Sequence, residues 1–182
     1  DNVWNVLGSA THDALEKIVR DNADTSILKK SVKDSLDTLD FIGLDFPKSN
    51  GDMRGNWIKN MNGFASHYQK PDGKFECEKF FLLDVDGIKI QGYIDLIEHN
   101  EDGSVNIYDY KTSSLYKGDD IDKHGRQLLI YAMALEQEGI KVNKVAWLFL
   151  KYAGKKKEFK NGNIKITPVE GRKFEDDSDY QC

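Results

Sequence analysis

The 182-residue sequence predicts one domain of the α/β class, in the α+β sense, with a mixed central sheet flanked by helices. Three observations predict it. Apolar residues recur at helical spacing through the first 68 positions. Three β-like runs then follow one another across short turns, as in an antiparallel meander. Last come one more helical segment, a buried-looking strand and a hairpin. With 39% apolar residues, a chain of this length buries about two-thirds of its unfolded surface.

The elements are expected in this order. A first helix runs from near Ser9 to about Arg20, with Leu15, Ile18 and Val19 as its apolar stripe. Asn22, Asp24, Thr25 and Ser26 form a linker and cap. A second helix reaches about Leu39 through Ile27, Leu28, Val32 and Leu36. Pro47 to Gly51 punctuate the chain, and a third helix covers about Asp52 to Tyr68, where Trp57, Phe64 and Tyr68 are core residues. Gly55 and Gly63 count against that helix without overturning it. Strands are expected at Phe75 to Val85, Ile88 to Glu98 and Val105 to Thr112. Asp86-Gly87 turns between the first two, a strong hairpin signal. A fourth helix spans about Lys123 to Gln137 and stops at Gly139. Lys144 to Tyr152 is a strand, and Asn161-Gly162-Asn163 turns a final hairpin. The acidic tail from 170 to 182 is expected to be loose.

Composition excludes several classes. A net charge of −5 argues against a protein that coats nucleic acid by bulk charge, though not against one that handles it in a local groove. No apolar run approaches the roughly 20 residues of a membrane span, and no basic-then-apolar signal segment opens the chain. The expected location is cytoplasmic, with Cys77 and Cys182 as reduced thiols rather than a disulfide framework or a Cys-based metal site. Because the first residue is Asp, the chain is expected to be part of a longer one.

The chemistry concentrates in Gly92-Tyr93-Ile94-Asp95 and Ile107-Tyr108-Asp109-Tyr110-Lys111-Thr112. Residues two apart on a strand share a face, so Asp109 and Lys111 point the same way. A short turn pairs their strand with the one carrying Asp95. Two acids and a lysine on neighbouring strands suit phosphodiester hydrolysis. Carboxylates bind a hard divalent cation that polarises phosphoryl oxygen and acidifies water, and an ammonium offsets charge on the phosphorane. The plainer reading is an exposed strand with alternating, solvated charges.

These residues resemble the PD-(D/E)xK nuclease superfamily, in particular its RecB-like exonuclease branch. That branch shows Gly-x-(Ile/Val)-Asp, about a dozen residues, Asp-Tyr-Lys-Thr, then a helix bearing Gln-x-x-x-Tyr. Gln127-Leu128-Leu129-Ile130-Tyr131 supplies the helix motif, and its spacing puts Gln127 and Tyr131 on one face. An upstream helical His preceded by a Gly matches Gly8 to Glu16, with His12. The resemblance covers about Leu7 to Tyr152.

The resemblance implies a restriction-endonuclease-like core and a DNA nuclease, an exonuclease before an endonuclease. It would act on DNA ends or single strands in recombination, repair or phage DNA processing and leave 5′-phosphate and 3′-hydroxyl ends. Asp95, Asp109 and the backbone carbonyl of Tyr110 would ligate Mg²⁺ or Mn²⁺, with His12 as a further ligand. Lys111 would be the catalytic lysine, and Gln127 and Tyr131 would contact DNA or brace the site. The branch also places a glutamate before the Asp95 hairpin. Glu78 fits better than Glu76. Some members hold an iron-sulfur cluster on four cysteines. Two cysteines, neither in the matching place, imply none within this chain. A helicase or recombination partner is the companion such a domain implies, and a membrane is not.

The remaining candidates read more plainly. His67, His99 and His124 are expected to be structural or exposed, and Lys151, Lys155, Lys156, Lys157 and Lys160 form a solvated hairpin sooner than a phosphate track. Two competing functions stay open: a non-catalytic DNA-binding or scaffolding module of the same fold, and a structure- or sequence-specific endonuclease.

Overall fold

A computed structural model describes residues 2–48, 51–152, 155–160 and 163–168, the last two segments as backbone only. The described residues fall into two compact units. One is built on the chain before Pro71 and the segment after Phe149; the other is Pro71–Phe149.

In the first unit, α1 (Val3–Arg20) begins six residues before the position the stripe predicts. The Asn2 side chain accepts a hydrogen bond from the Asn5 backbone N–H at 2.9 Å, a standard N-cap. Buried Val3 and Leu7 extend the stripe of Ala14, Leu15 and Ile18 towards the N-terminus. Helix α2 (Ile27–Ile42) outruns its expected end and stops at Gly43, whose φ of 67° is the left-handed conformation that ends helices. Ser31 Oγ donates to the Ala10 carbonyl at 2.6 Å, joining α2 to α1. Helix α3 (Met53–His67) is capped by Asp52, which accepts from Gly55 N–H. Arg54 grips Asp40 of α2 through both guanidinium ends at 2.7 and 2.8 Å. Trp57, Phe64 and Tyr68 are all buried. After a 3-10 turn at Leu150–Tyr152, β5 (Lys155–Lys160) and β6 (Asn163–Pro168) pair antiparallel. The side chains of Lys155, Lys156, Lys157 and Lys160, the turn at 161–162 and the tail from 170 lie outside the described residues.

The second unit is a four-stranded sheet in the order β1-β2-β3-β4, with β1 (Lys74–Val85), β2 (Ile88–His99), β3 (Val105–Lys111) and β4 (Val142–Phe149). The first two junctions are antiparallel. The third is parallel, since helix α4 (Asp119–Gln137) carries the chain back between β3 and β4. This mixed sheet, in an α+β chain, is consistent with the restriction-endonuclease-like core. Asp86 and Gly87 both have positive φ, 52° and 86°, as a two-residue type I′ turn requires. That turn fixes the whole register of β1 on β2, from Val85↔Ile88 to Lys74↔His99. Helix α4 starts four residues before its expected position, because Asp119, Asp120 and Asp122 in its first turn complement the helix dipole. It packs on the sheet with Leu128, Tyr131, Ala134 and Leu135 buried. Strand β3 is buried from Val105 to Tyr110, so its Asp109 is a charged group inside the protein.

Candidate active site

Strands β2 and β3 separate just where their acids lie. Their ladder closes with Leu96↔Tyr108, and the next step along it would set Asp95 against Asp109. There the Asp95 carboxylate accepts a hydrogen bond from the Tyr110 backbone N–H at 2.7 Å. A side chain on β2 thus reaches the backbone of β3, and both acids are held at the mouth of the gap.

Asp109 is 2% exposed. A buried carboxylate is tolerated only with a close partner, and the Lys111 ammonium lies 2.6 Å from its Oδ2. The same ammonium donates to Gln127 Oε1 at 3.1 Å, and Gln127 Nε2 donates to the Tyr131 hydroxyl at 2.6 Å. One turn of α4 therefore anchors the lysine of β3. Burial, then the carboxylates of Asp109 and Asp95, hold the Tyr131 phenol above its ordinary value, so it stays neutral.

Asp95 carries the electrostatic signature of the site. Burial first, and the neighbouring Asp109 carboxylate second, push it up to about 7; the Tyr110 N–H and Lys111 pull the other way. Burial beside a second acid disfavours the charged form of Asp95, and a carboxyl moved so far from its usual range is a mark of functional sites.

Glu78 occupies the ladder step between Cys77↔Leu96 and Lys79↔Ile94, the step that faces Asp95. Its φ of 50° is left-handed, costing about 1–3 kcal/mol at a residue with a side chain. The Glu78 and Asp95 carboxylates approach within 4.8 Å. Glu76, the other candidate, is engaged away from Asp95, 3.5 Å from His99 Nε2 and 4.0 Å from Lys79 Nζ. His12 stands half-buried on α1, in the first unit. Tyr110 contributes the N–H described above.

Phe81, which no motif names, also belongs to the site. Its ring lies over Gly92, where an added Cβ would sit 3.0 Å from Phe81 Cε1, and it meets the Tyr131 ring edge-on at 5.4 Å. A side chain at the motif glycine would press on the aromatic that backs Tyr131. The signal was present: counting outward from the Asp86-Gly87 turn sets Phe81 against Gly92 and Glu78 against Asp95. The other histidines are accounted for locally. His67 Nδ1 lies 2.8 Å from the Gly63 carbonyl, and His124 stacks on Tyr116 at 4.0 Å.

Comparison with known proteins identifies the family. The model of the PD-(D/E)XK nuclease superfamily matches residues 2–179. The gene 69 protein of Mycobacterium phage D29 is 37% identical over 87 residues, which is 47% of this chain and 29% of that relative. The chain therefore covers less than a third of the length of the curated relative it matches.

Proposed function

The chain belongs to the PD-(D/E)XK nuclease superfamily, a family of metal-dependent nucleases, and from that premise we propose that it is a deoxyribonuclease of the RecB-like exonuclease branch. It hydrolyses phosphodiesters at DNA ends or in single strands, leaving 5′-phosphate and 3′-hydroxyl termini. Its setting is recombination, repair or phage DNA processing, and the resemblance to a phage protein supports the last. Residues 1–182 act as one nuclease domain, working with a helicase or recombination partner.

The observation that carries this reading is the convergence on one strand gap of Asp95, Asp109 and Lys111, with Asp95 bound to the Tyr110 N–H and Lys111 to Asp109. The donor set suits a hard divalent cation, Mg²⁺ or Mn²⁺, and such a cation would displace the proton that burial and Asp109 favour on Asp95. Asp95, Asp109, the Tyr110 carbonyl and His12 would hold it, with Glu78 as the further site carboxylate. When bound, the cation supplies Lewis-acid polarisation of the phosphoryl oxygen and an acidified water.

The protein's own groups do the rest. Lys111 is steadied from two sides, by Asp109 and by Gln127, so its ammonium can orient water and offset charge on the phosphorane without rearranging. Tyr131 and Gln127 brace that lysine. An imidazole among the ligands favours Mn²⁺ over Mg²⁺ relative to an all-oxygen site.

The test is digestion of end-labelled single- and double-stranded oligonucleotides with Mn²⁺ or Mg²⁺, beside closed circular and linear DNA. Linear DNA is expected to be degraded and the circle spared. A folded protein that cuts none of them with either metal removes the reading.

A further inference from the structure

The amide that steadies Lys111 belongs to a residue at the protein surface, Gln127 of α4. Holding so long a side chain in one rotamer costs conformational entropy, which a second hydrogen bond helps to offset. An ammonium can only donate, so Gln127 turns its Oε1 to Lys111, 3.1 Å away, and its Nε2 to the Tyr131 hydroxyl, 2.6 Å away. On this side the lysine is only as well placed as the Tyr131 ring. That ring is 5% exposed and meets Phe81 of β1, 3% exposed, with centroids 5.4 Å apart and planes at 68°. Phe81 in turn lies over its register partner Gly92 of β2, where a Cβ would sit 3.0 Å from its Cε1. A continuous line of contacts therefore runs from the β1–β2 hairpin through α4 to the ammonium beside Asp109.

We propose that Phe81 is a positioning residue for Lys111, acting through the Tyr131 ring and the Gln127 amide. This rests on the nuclease reading above, in which that ammonium serves the scissile phosphate. Two observations set the role apart from plain core packing. First, α4 has its own fastenings to β1 at its C-terminal end. Gln137 exchanges two hydrogen bonds of 3.0 Å with the Asp84 backbone, and Glu138 lies 3.4 Å from Lys79 Nζ. Loss of the Phe81 ring therefore leaves the helix docked and unseats the phenol locally. Second, each link beyond the ring is a single directional hydrogen bond, and together they end on the reacting groups. An aliphatic side chain at position 81 keeps the interior apolar but gives up the edge-on contact, so the phenol, the amide and the ammonium shift in turn. A misplacement of about 1 Å, made far from the chemistry, can cost on the order of 10²-fold in rate.

The experiment is a double-mutant cycle in single-turnover DNA digestion, with Phe81→Leu and Gln127→Ala made singly and together. The side-chain amide resonance of Gln127, assigned by its loss in Gln127→Ala, is followed alongside by NMR. Phe81→Leu is expected to lower the rate roughly tenfold, with KM and Mn²⁺ affinity at parental values, and to shift the Gln127 resonance. In the Gln127→Ala background the same substitution is expected to add little, because the line to Lys111 is already cut. Gly92→Ala presses on the same ring from β2 and is expected to repeat both results, which keeps the test sharp if Phe81→Leu does not fold. Equal losses with and without Gln127, or a folded Phe81→Leu protein with the parental rate and resonance, overturn the positioning role alone. A parent that cuts no DNA overturns the nuclease reading and takes the positioning role with it.

Discussion

Strands β2 and β3 carry acidic side chains at both ends of their pairing, and the two ends are built in opposite ways. At the far end Glu98 accepts from Asn106 Nδ2 at 2.7 Å and from the Tyr108 hydroxyl at 2.8 Å. Asn106 is in turn held by Asn100 and Asn143, and Ser104 by Asp102. Neutral donors meet the carboxylate there, in a closed network. At the near end Asp95 accepts from the Tyr110 backbone N–H and faces a second carboxylate, and burial with that neighbour pushes it up to about 7. One pair of strands thus holds a carboxylate met by neutral donors at one end and, at the other, two neighbouring carboxylates that disfavour each other's charge. Burial beside a second carboxylate, not the mere presence of an acid, sets Asp95 apart from Glu98.

The comparison breaks most sharply at Lys111. Lys111→Ala is expected to lower kcat by about 10²–10³-fold, the usual cost of removing a group that stabilises transition-state charge, in single-turnover digestion. Circular dichroism should remain that of the parent. His12→Ala tests the ligand set and is expected to weaken Mn²⁺ binding by about 10–100-fold, the range of ligand-shell losses, and to narrow the Mn²⁺ over Mg²⁺ advantage. Glu98→Gln probes the opposite end. It replaces an acceptor of two hydrogen bonds and is expected to cost about 1–3 kcal/mol in urea unfolding while activity per folded molecule stays at the parental level.

The smallest effect has the most telling sign. Asp95 in the folded chain lies near 7, above its ordinary 3.8, so the metal-free fold binds its proton more tightly than the unfolded chain does. Its contribution to stability is full below about pH 4 and is lost as pH rises through about 7. Asp95→Asn, which keeps an acceptor for the Tyr110 N–H, is expected to raise the metal-free melting temperature by a few degrees at pH 8 and to leave it unchanged near pH 4. A functional carboxylate whose removal stabilises the fold is the counterpart of Glu98, whose loss weakens it.

Much of this was legible in the sequence, for definable reasons. Asp86-Gly87 announced a hairpin, and the spacing of Asp109 and Lys111 put them on one face. The motif on α4 set Gln127 and Tyr131 one turn apart, as the hydrogen bond between them requires. Other features were not read. The start of α1 depends on the Asn2 cap, which lies ahead of the apolar stripe. The left-handed backbone of Glu78 has no residue-type signature, since glutamate carries no preference for it. The raised state of Asp95 comes from burial and from Asp109, which no linear pattern displays. The exposed rings of Phe80 and Tyr93 alternate in sequence with buried Phe81 and Ile94, so apolar character alone did not say which face looked outward.

The most direct measurement is calorimetric titration of Mn²⁺ into the parent, Asp95→Asn and Glu98→Gln proteins. The parent and Glu98→Gln should take up the cation alike, and Asp95→Asn should not. Uptake by Asp95→Asn equal to the parent's, or none by a folded parent, would contradict the assignment of the strand gap as the metal centre.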